Sequence, residues 1–227
     1  MTRKICLLWD IDGTLIWSGG AGERAFERAI QKVHQRKVEI TQINYSGRTD
    51  RMIAQMLADH LEIPEAEQQV AEIVDAYLFF LPEEMASGTA FELKGVRTLL
   101  DRAAATPNIN QGLLTGNMIA GAEIKLGYFD LWKYFDFGGF ANASPERNLI
   151  AEAAKAAAAE RNLFGESADI WVIGDTPHDI TCGQHIGART MVTATGRQKL
   201  KELTPYNPNA AFEDLNDVET VWAEFLK

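Results

Sequence analysis

The chain has 227 residues, enough for one large domain or for a core with a smaller module. Its composition is 46% hydrophobic and 24% charged, which is ordinary for a soluble globular protein, and no apolar stretch approaches the roughly 20 residues of a membrane span. The formal net charge of −10 opposes binding to a phosphate backbone, so the composition predicts neither a nucleic-acid partner nor a membrane partner.

The N-terminus and the cysteines bear on the compartment. The first apolar run is short and ends in aspartates, which is not the pattern of a signal peptide. Cys6 and Cys182 are too few for a disulfide framework and are expected to be small core residues in a reducing environment. We therefore predict a cytoplasmic protein.

Short apolar runs alternate with helical patterns along most of the chain. The predicted strands are Ile5–Trp9, Ile109–Leu114, Ile170–Ile173, Thr190–Thr193 and Ala210–Phe212. The predicted helices that lie between them are Val96–Ala105, Ile119–Gly127, Pro145–Asn162 and Pro177–His185, and Val218–Leu226 closes the chain. Such alternation predicts an α/β fold, a doubly wound parallel sheet with crossover helices.

The stretch between the first two strands differs from the rest. It contains three helical patterns that no buried strand interrupts: Gly22–Arg36, Thr49–Leu61 and Glu65–Phe80. We interpret residues 17–82 as an inserted all-helical cap domain and residues 1–16 and 83–227 as the α/β core domain. Small residues at Ser18–Gly20 and Ser87–Gly88 are expected to act as flexible joints.

Polar residues follow three of the predicted strands. Asp10 and Asp12 follow the first strand, Thr115 the second and Asp175 the third, and Asp179 lies one helical turn later. The carboxyl ends of parallel strands share one edge of a sheet, so these side chains are expected to converge. Four carboxylates in one place repel one another, and Mg²⁺ would relieve that repulsion. A substrate phosphate would then bind as a further anionic ligand.

Asp10 and Asp12 would point to the same face of a regular strand. Gly13 breaks the strand directly after them, so that backbone N–H groups can turn towards the site. Two neighbouring carboxylates can divide a phosphoryl transfer, with Asp10 attacking phosphorus and Asp12 acting as the general acid and base. Each aspartate taken alone is equally compatible with a helix cap or a turn, but their joint placement at strand ends favours a site.

Four features in this order resemble the motifs of the haloacid dehalogenase superfamily of phosphatases: WDIDGTL, LLTGN, a cation and VIGDTPHDI. The resemblance extends to phosphoglycolate phosphatase-like members with a small helical cap. It implies a Rossmann-like core and a phosphoaspartate intermediate on Asp10, with Asp12 as general acid and base. Dehalogenase and phosphonate-cleaving members differ at the second aspartate, so Asp12 favours hydrolysis of a phosphate ester.

The same resemblance implies the roles of further residues. Magnesium would be held by Asp10, the backbone carbonyl of Asp12 and Asp175, with Asp179 helping through water or by orienting its neighbours. The hydroxyl of Thr115 would donate a hydrogen bond to the transferring phosphoryl group.

One motif of the superfamily is missing. Many members carry a Lys-Pro pair whose lysine steadies the nucleophile and the phosphate, and this chain has no such pair. We predict that Arg147 takes this place, because a guanidinium matches phosphate and carboxylate oxygens. The alternative is a surface arginine at the start of a helix, with Lys155 or Lys125 as other candidates for the cation.

Substrate-binding residues are expected on both sides of the site. Gly116 and Asn117 follow Thr115, and Gly20 lies close to the nucleophile in the sequence. Arg48 in the helical insertion would meet a second anionic group on the substrate, or would instead pair with Asp50 on the surface.

The sequence thus predicts an Mg²⁺-dependent phosphatase acting on a small phosphorylated metabolite, as a monomer or homodimer. A phosphomutase acting on a sugar phosphate would share the chemistry and is one alternative. A non-catalytic phosphate-ligand binder is another. A signalling receiver domain also uses an acidic pocket, but such domains are shorter and lack the helical insertion.

Overall fold

The strands and helices are given by a computed structural model, which describes residues 3–64 and 67–227. The strands in chain order are β1 (Ile5–Trp9), β2 (Ile16–Trp17), β3 (Phe91–Glu92), β4 (Ile109–Leu114), β5 (Gly138–Gly139), β6 (Ile170–Gly174), β7 (Arg189–Thr193) and β8 (Ala210–Phe212). The α-helices are α1 (Ala21–His34), α2 (Asp50–His60), α3 (Glu67–Ser87), α4 (Val96–Ala105), α5 (Ile119–Gly127), α6 (Arg147–Glu160), α7 (Pro177–His185), α8 (Leu200–Leu203) and α9 (Val218–Phe225).

A six-stranded sheet lies at the centre of the fold, in the order β5-β4-β1-β6-β7-β8. All its pairings are parallel, and β1 lies between β4 and β6. Parallel neighbours need crossover connections, which the helices supply. The predicted α/β class with a doubly wound parallel sheet is therefore confirmed.

The first strand shows why the core has two faces. Leu7 and Trp9 pack in the same cluster as α4 and α9, whereas Cys6 and Leu8 pack with α6 and α7. Successive strand residues point to opposite faces, so a strand covered on both sides is buried along its whole length. Cys6 and Cys182 are free, buried thiols, and burial raises the pKa of each to about 12.

The predicted ends of several helices and strands agree with the structure, because these elements have a recognisable apolar pattern. Helices α4, α5 and α7 and strands β1, β4 and β8 have the predicted ends. The prediction missed β2, β3 and β5, because a strand of two residues has no detectable alternation.

The third helix of the insertion continues beyond its predicted end at Phe80. Helix α3 runs through Pro82 to Ser87, so the predicted domain boundary at residue 82 falls inside a helix. A proline in a helix removes one backbone hydrogen bond, but buried Leu81 and Met85 continue the apolar contact on either side of it. The predicted start of this helix at Glu65 lies outside the described residues.

Two contacts tie the insertion together and join it to the core. The rings of Phe26 in α1 and Tyr77 in α3 stack with centroids 4.0 Å apart. Strands β2 and β3 pair antiparallel at the two ends of the insertion. The division into core and cap domains stays a prediction.

Within the described part of the chain, none of the helices combines the length and the apolar character needed to cross a membrane.

Candidate active site

A cavity of about 140 Å³ opens where the carboxyl ends of β1, β4 and β6 meet the helical insertion. Most of the residues singled out from the sequence line it: Asp10, Asp12, Gly20, Arg48, Thr115, Gly116, Asn117, Arg147 and Asp175. Asp179 does not line the cavity itself, but it accepts a hydrogen bond from Arg147, which lines the cavity. The parallel sheet thus brings together side chains that are far apart in the sequence.

Two glycines make room for Asp175. A Cβ atom on Gly13, which has a φ of +81°, would lie 2.5 Å from Oδ2 of Asp175. A Cβ atom on Gly196 would lie 1.7 Å from the same oxygen. Both positions require glycine because the loops after β1 and β7 pass directly over the carboxylate.

Three buried carboxylates form a cluster. Oxygen atoms of Asp10, Asp175 and Asp179 all lie within 4.8 Å of one another. Oδ1 of Asp175 is buried without a hydrogen-bond partner among the described residues. An oxygen left in this way, inside a group of like charges, fits a cation ligand better than a structural carboxylate.

The raised pKa values in the cluster also support a cation site. Burial, and after it the neighbouring Asp179, raise the pKa of Asp10 to about 7 against the opposing effect of Arg147. Burial and then Asp179 also raise the pKa of Asp175 well above its usual range. The charged forms of Asp10 and Asp175 are therefore unfavourable even beside Arg147, and a further bound cation would stabilise them.

Asp179 has two local functions in the fold. Its Oδ2 accepts hydrogen bonds from the backbone N–H of Thr176 at 3.0 Å and from the Thr176 hydroxyl at 2.7 Å. These bonds cap the start of α7. Its Oδ1 accepts a hydrogen bond from Arg147, so the same carboxylate both caps a helix and holds a cation.

Arg147 is a buried cation beside Asp10. It is the first residue of α6, yet its side chain is only 10% exposed. Its Nη1 lies 3.7 Å from Oδ1 of Asp10, and its Nη2 binds Asp179. Burial lowers the pKa of the guanidinium, but Asp179 and Asp10 outweigh burial and raise it, so the group stays charged. Because the side chain is buried, Arg147 is not the surface arginine of the alternative prediction.

A second buried cation, Lys125, was considered from the sequence only as a substitute for Arg147. Its Nζ donates to Oδ2 of Asp12 and to Oδ1 of Asn117, each at 2.6 Å. The amide of Asn117 donates in turn to Asp12 at 3.0 Å and to the Thr115 hydroxyl oxygen at 2.8 Å. Lys125 lies on the buried face of α5, one turn after Gly121. Its position among the apolar residues of this helix was the feature of the sequence that could have indicated a buried lysine with a functional role.

Lys155, the other candidate for the cation, lies elsewhere. Its ammonium group donates to the Ser167 hydroxyl and to the Ile186 carbonyl, both at 2.7 Å. It is not among the residues that line the cavity.

The helical insertion contacts the core at the start of α2. The N–H of Asp50 donates to the carbonyl of Gly116, and the N–H of Met118 donates to Oδ2 of Asp50, both at 2.8 Å. The Thr49 hydroxyl donates to the Pro145 carbonyl at 3.1 Å. The insertion therefore binds the loop that follows β4, next to Thr115 and Asn117, which are predicted to contact the substrate.

Arg48 precedes this contact and lines the cavity. Among the described residues, the one hydrogen bond of its side chain goes from Nη1 to the sulfur of Met52 at 3.6 Å, and its Nε is buried without a partner. The Asp50 carboxylate is engaged by Met118 instead of Arg48. The predicted surface pair is therefore not formed in the described structure.

Polar residues that the sequence did not indicate also line the cavity. Glu23 accepts a hydrogen bond from Arg197 at 2.5 Å and another from the Tyr45 hydroxyl at 3.0 Å. The guanidinium of Arg197 lies 4.9 Å from the centroid of the Tyr45 ring. This group joins α1 of the insertion to the core loop after β7.

The comparisons with known proteins agree with this geometry. The family model of haloacid dehalogenase-like hydrolases matches residues 7–184. No curated protein matches the chain.

Solved structures of similar fold cover nearly the whole chain. A predicted phosphoglycolate phosphatase from Haemophilus somnus 129pt is 16% identical, with a TM-score of 0.76 over 98% of this chain and 99% of that one. CbbY from Rhodobacter sphaeroides in complex with phosphate is 16% identical, with a TM-score of 0.76 over 96% of each chain. A candidate β-phosphoglucomutase from Bacteroides vulgatus is 16% identical, with a TM-score of 0.70 over 99% of this chain and 89% of that one. Identities at this level show likeness of fold.

Proposed function

The chain belongs to the haloacid dehalogenase-like hydrolase family, and we propose that it is an Mg²⁺-dependent phosphatase that hydrolyses a small phosphomonoester through a phosphoaspartate on Asp10. The observation that carries the proposal is the buried cluster of Asp10, Asp175 and Asp179, whose oxygens lie within 4.8 Å of one another. A charged guanidinium adjoins the cluster at Asp10.

The donor set suits a hard divalent cation. Asp10 and Asp175 would hold Mg²⁺ together with the backbone carbonyl of Asp12, while Asp179 keeps Arg147 in place. Mg²⁺ would neutralise the clustered charge and polarise a phosphoryl oxygen. The unpartnered Oδ1 of Asp175 supports this assignment.

The chain's own residues divide the reaction into two displacements. A carboxylate oxygen of Asp10 forms a bond to phosphorus while the bond from phosphorus to the leaving oxygen breaks, and Asp12 gives its proton to that oxygen. Asp12 then takes a proton from water as the water oxygen bonds to phosphorus and the Asp10–phosphorus bond breaks. Arg147 and the Thr115 hydroxyl would stabilise charge on the phosphoryl oxygens.

The substrate is proposed to be a small phosphorylated metabolite with a second anionic group. The cavity is lined by polar side chains of the sheet edge and of the helical insertion, which suits a small polar molecule attached to the phosphate. Arg48 lines it with no carboxylate partner among the described residues, and Gly20, Gly116 and Asn117 would complete the contacts. CbbY, of similar fold, was solved with xylulose-(1,5)bisphosphate, a ligand with two phosphates. We also propose that the protein acts in the cytoplasm, where its two buried thiols would stay reduced.

A phosphomutase acting on a sugar phosphate is the second candidate. The similarity of fold to the candidate β-phosphoglucomutase favours it. A mutase would form the same phosphoaspartate but return the phosphoryl group to a sugar, so free phosphate would not accumulate.

The test is phosphate release from a panel of small phosphomonoesters, with Mg²⁺ or with EDTA. Wild-type protein should release phosphate only with Mg²⁺, and Asp10→Asn should reduce release at least about 1,000-fold because it removes the nucleophile. The matched control is Asp136→Asn at an exposed aspartate, which should retain wild-type rates. Isomerisation of a sugar phosphate without phosphate release would favour the mutase, and release by Asp10→Asn at the wild-type rate would reject both mechanisms.

A further inference from the structure

Lys125 is a buried cation that has no role in the reaction steps proposed above. It lies on α5, and its side chain is 6% exposed. Its ammonium group binds Oδ2 of Asp12 and Oδ1 of Asn117, each at 2.6 Å. Arg147, in contrast, contacts Asp10 and Asp179, so these two buried cations bind different aspartates.

The surroundings of Lys125 keep it charged. Burial lowers its pKa, but Asp12, Tyr77 and Asp50 together outweigh burial and raise the pKa above its usual range. Asp50 and Tyr77 belong to the helical insertion, whereas Asp12 belongs to the core. The charge on Lys125 is thus stabilised by polar groups from both parts of the molecule.

The bonds around Asp12 restrict its orientation. Oδ2 accepts from Lys125 at 2.6 Å and from the Asn117 amide at 3.0 Å. The same amide donates to Thr115, whose backbone N–H is bonded to Gly139 of β5, so Asn117 is itself anchored to the sheet. The hydrogen bonds that the described residues donate to this carboxylate both go to Oδ2, so Oδ1 is the oxygen that would carry a proton to the leaving group. Asp12 is 38% exposed and would otherwise rotate freely.

We propose that Lys125 is a positioning residue that holds the Asp12 carboxyl group in the orientation needed to protonate the leaving oxygen. The inference rests on the proposed phosphatase function and goes beyond it by assigning a residue outside the aspartate, threonine and arginine set. Lys125 touches neither the nucleophile nor the acidic cluster in the described contacts. Its effect on rate therefore passes through Asp12.

A purely structural lysine and a positioning lysine differ in their dependence on the leaving group. An aryl ester such as p-nitrophenyl phosphate has an acidic leaving group that needs little protonation, whereas an alkyl phosphate needs a proton as its bond breaks. Lys125→Met should therefore lower kcat for an alkyl ester by about 100-fold or more, the usual size of a general-acid contribution. It should lower kcat for the aryl ester by less than about 10-fold.

Three variants complete the comparison. Asp12→Asn should show the same leaving-group pattern, and Lys125→Met in the Asp12→Asn background should cause no further loss, because the lysine acts through that aspartate. Lys125→Gln keeps a donor for Asp12 and should lie between wild type and Lys125→Met; it also carries the test if the methionine variant does not fold. The matched control is Lys155→Met, which removes a lysine bonded outside the cavity and should leave both kcat values unchanged.

The outcomes separate this inference from the function on which it rests. Active wild type with equal losses for alkyl and aryl esters in Lys125→Met and Lys125→Gln, or with additive losses in the double variant, would overturn the positioning role alone. No phosphate release by wild type from any ester would overturn the proposed function and this inference with it. A loss confined to the alkyl ester and absent in the Asp12→Asn background is the expected result.

Discussion

Nη1 of Arg147 lies 3.7 Å from Oδ1 of Asp10, while Nη2 of the same guanidinium binds Asp179. One buried side chain thus spans the proposed nucleophile and the carboxylate that caps α7. A planar group with donors at two ends can do this, whereas a lysine has a single ammonium.

Removal of Arg147 should therefore affect chemistry more than binding. Arg147→Ala is expected to lower kcat by about 100- to 1,000-fold, the cost of losing one preorganised charge at a transferring group. Arg147→Lys should recover part of this loss, because it restores the charge without the bridge. Steady-state phosphate release measures both, with Arg161→Ala at the exposed end of α6 as control. An Arg147→Ala protein with kcat within threefold of wild type would show that the guanidinium has no catalytic part.

Gly196 should be needed for metal binding and not for folding. A Cβ there would lie 1.7 Å from Oδ2 of Asp175, so Gly196→Ala must displace that carboxylate or the loop. The Mg²⁺ concentration for half-maximal activity should rise at least about tenfold. The control is Gly127→Ala, where an added Cβ meets nothing within 4 Å. An unchanged Mg²⁺ requirement in Gly196→Ala would contradict the expectation that the added Cβ moves the Asp175 carboxylate away from a bound ion.

The acidic cluster should make the metal-free protein less stable as pH rises. The pKa of Asp10 is raised to about 7 in the fold, so between about pH 4 and 7 the folded state binds more protons at this group than the unfolded state. Its contribution to the free energy of unfolding therefore falls as pH rises through that range.

Asp10→Asn removes the ionisable group and isolates this contribution. In EDTA at pH 8 it should be more stable than wild type by about 1–3 kcal/mol, and the difference should shrink towards pH 5. Urea unfolding at several pH values measures the difference, and Mg²⁺ should stabilise wild type most above pH 7. A stability difference that grows as pH falls would have the wrong sign for a raised pKa.

Glu84 should be the main ionic link within the helical insertion. Its carboxylate accepts from Nε of Arg24 and Nη1 of Arg28, both at 2.6 Å, and joins α3 to α1. Its side chain is 9% exposed, whereas that of neighbouring Glu83, which binds only Arg28, is 69% exposed. Glu84→Ala should cost about 2–4 kcal/mol and Glu83→Ala less than about 1 kcal/mol, measured by urea unfolding. Equal losses in the two variants would contradict this ranking.

Much of the fold could be predicted because it depends on local patterns. Apolar runs bounded by turns predicted β1, β4 and β8, and the alternation with helices predicted the parallel sheet. The continuation of α3 past Pro82 could not be predicted, because the contacts that outweigh the proline come from packing against other elements. Strands of two residues are stabilised by their neighbours alone.

Some residues of the candidate site could likewise be predicted from the sequence, whereas others could not. Asp10, Thr115 and Asp175 could be placed from the sequence because each directly follows a strand of one parallel sheet, and Asp12 lies two residues after Asp10. The carboxyl ends of these strands share one edge of the sheet, where all four residues line the cavity. Arg147 was proposed by analogy with a missing lysine, and the contacts that bury it beside Asp10 were not visible in the sequence.

The sequence by itself determined which polar residues lie at the carboxyl ends of the strands, because short local patterns mark the strand ends. The cluster differs from the expected four carboxylates, since it contains Asp10, Asp175 and Asp179, whereas the Asp12 carboxylate is bound by Lys125. Only the tertiary structure decided which cation faces which aspartate. Lys125 and Asp12 are 113 positions apart, and their 2.6 Å contact depends on how α5 packs beneath the insertion. Such a contact is set by the sum of many packing interactions along both segments, none of which has a local signature.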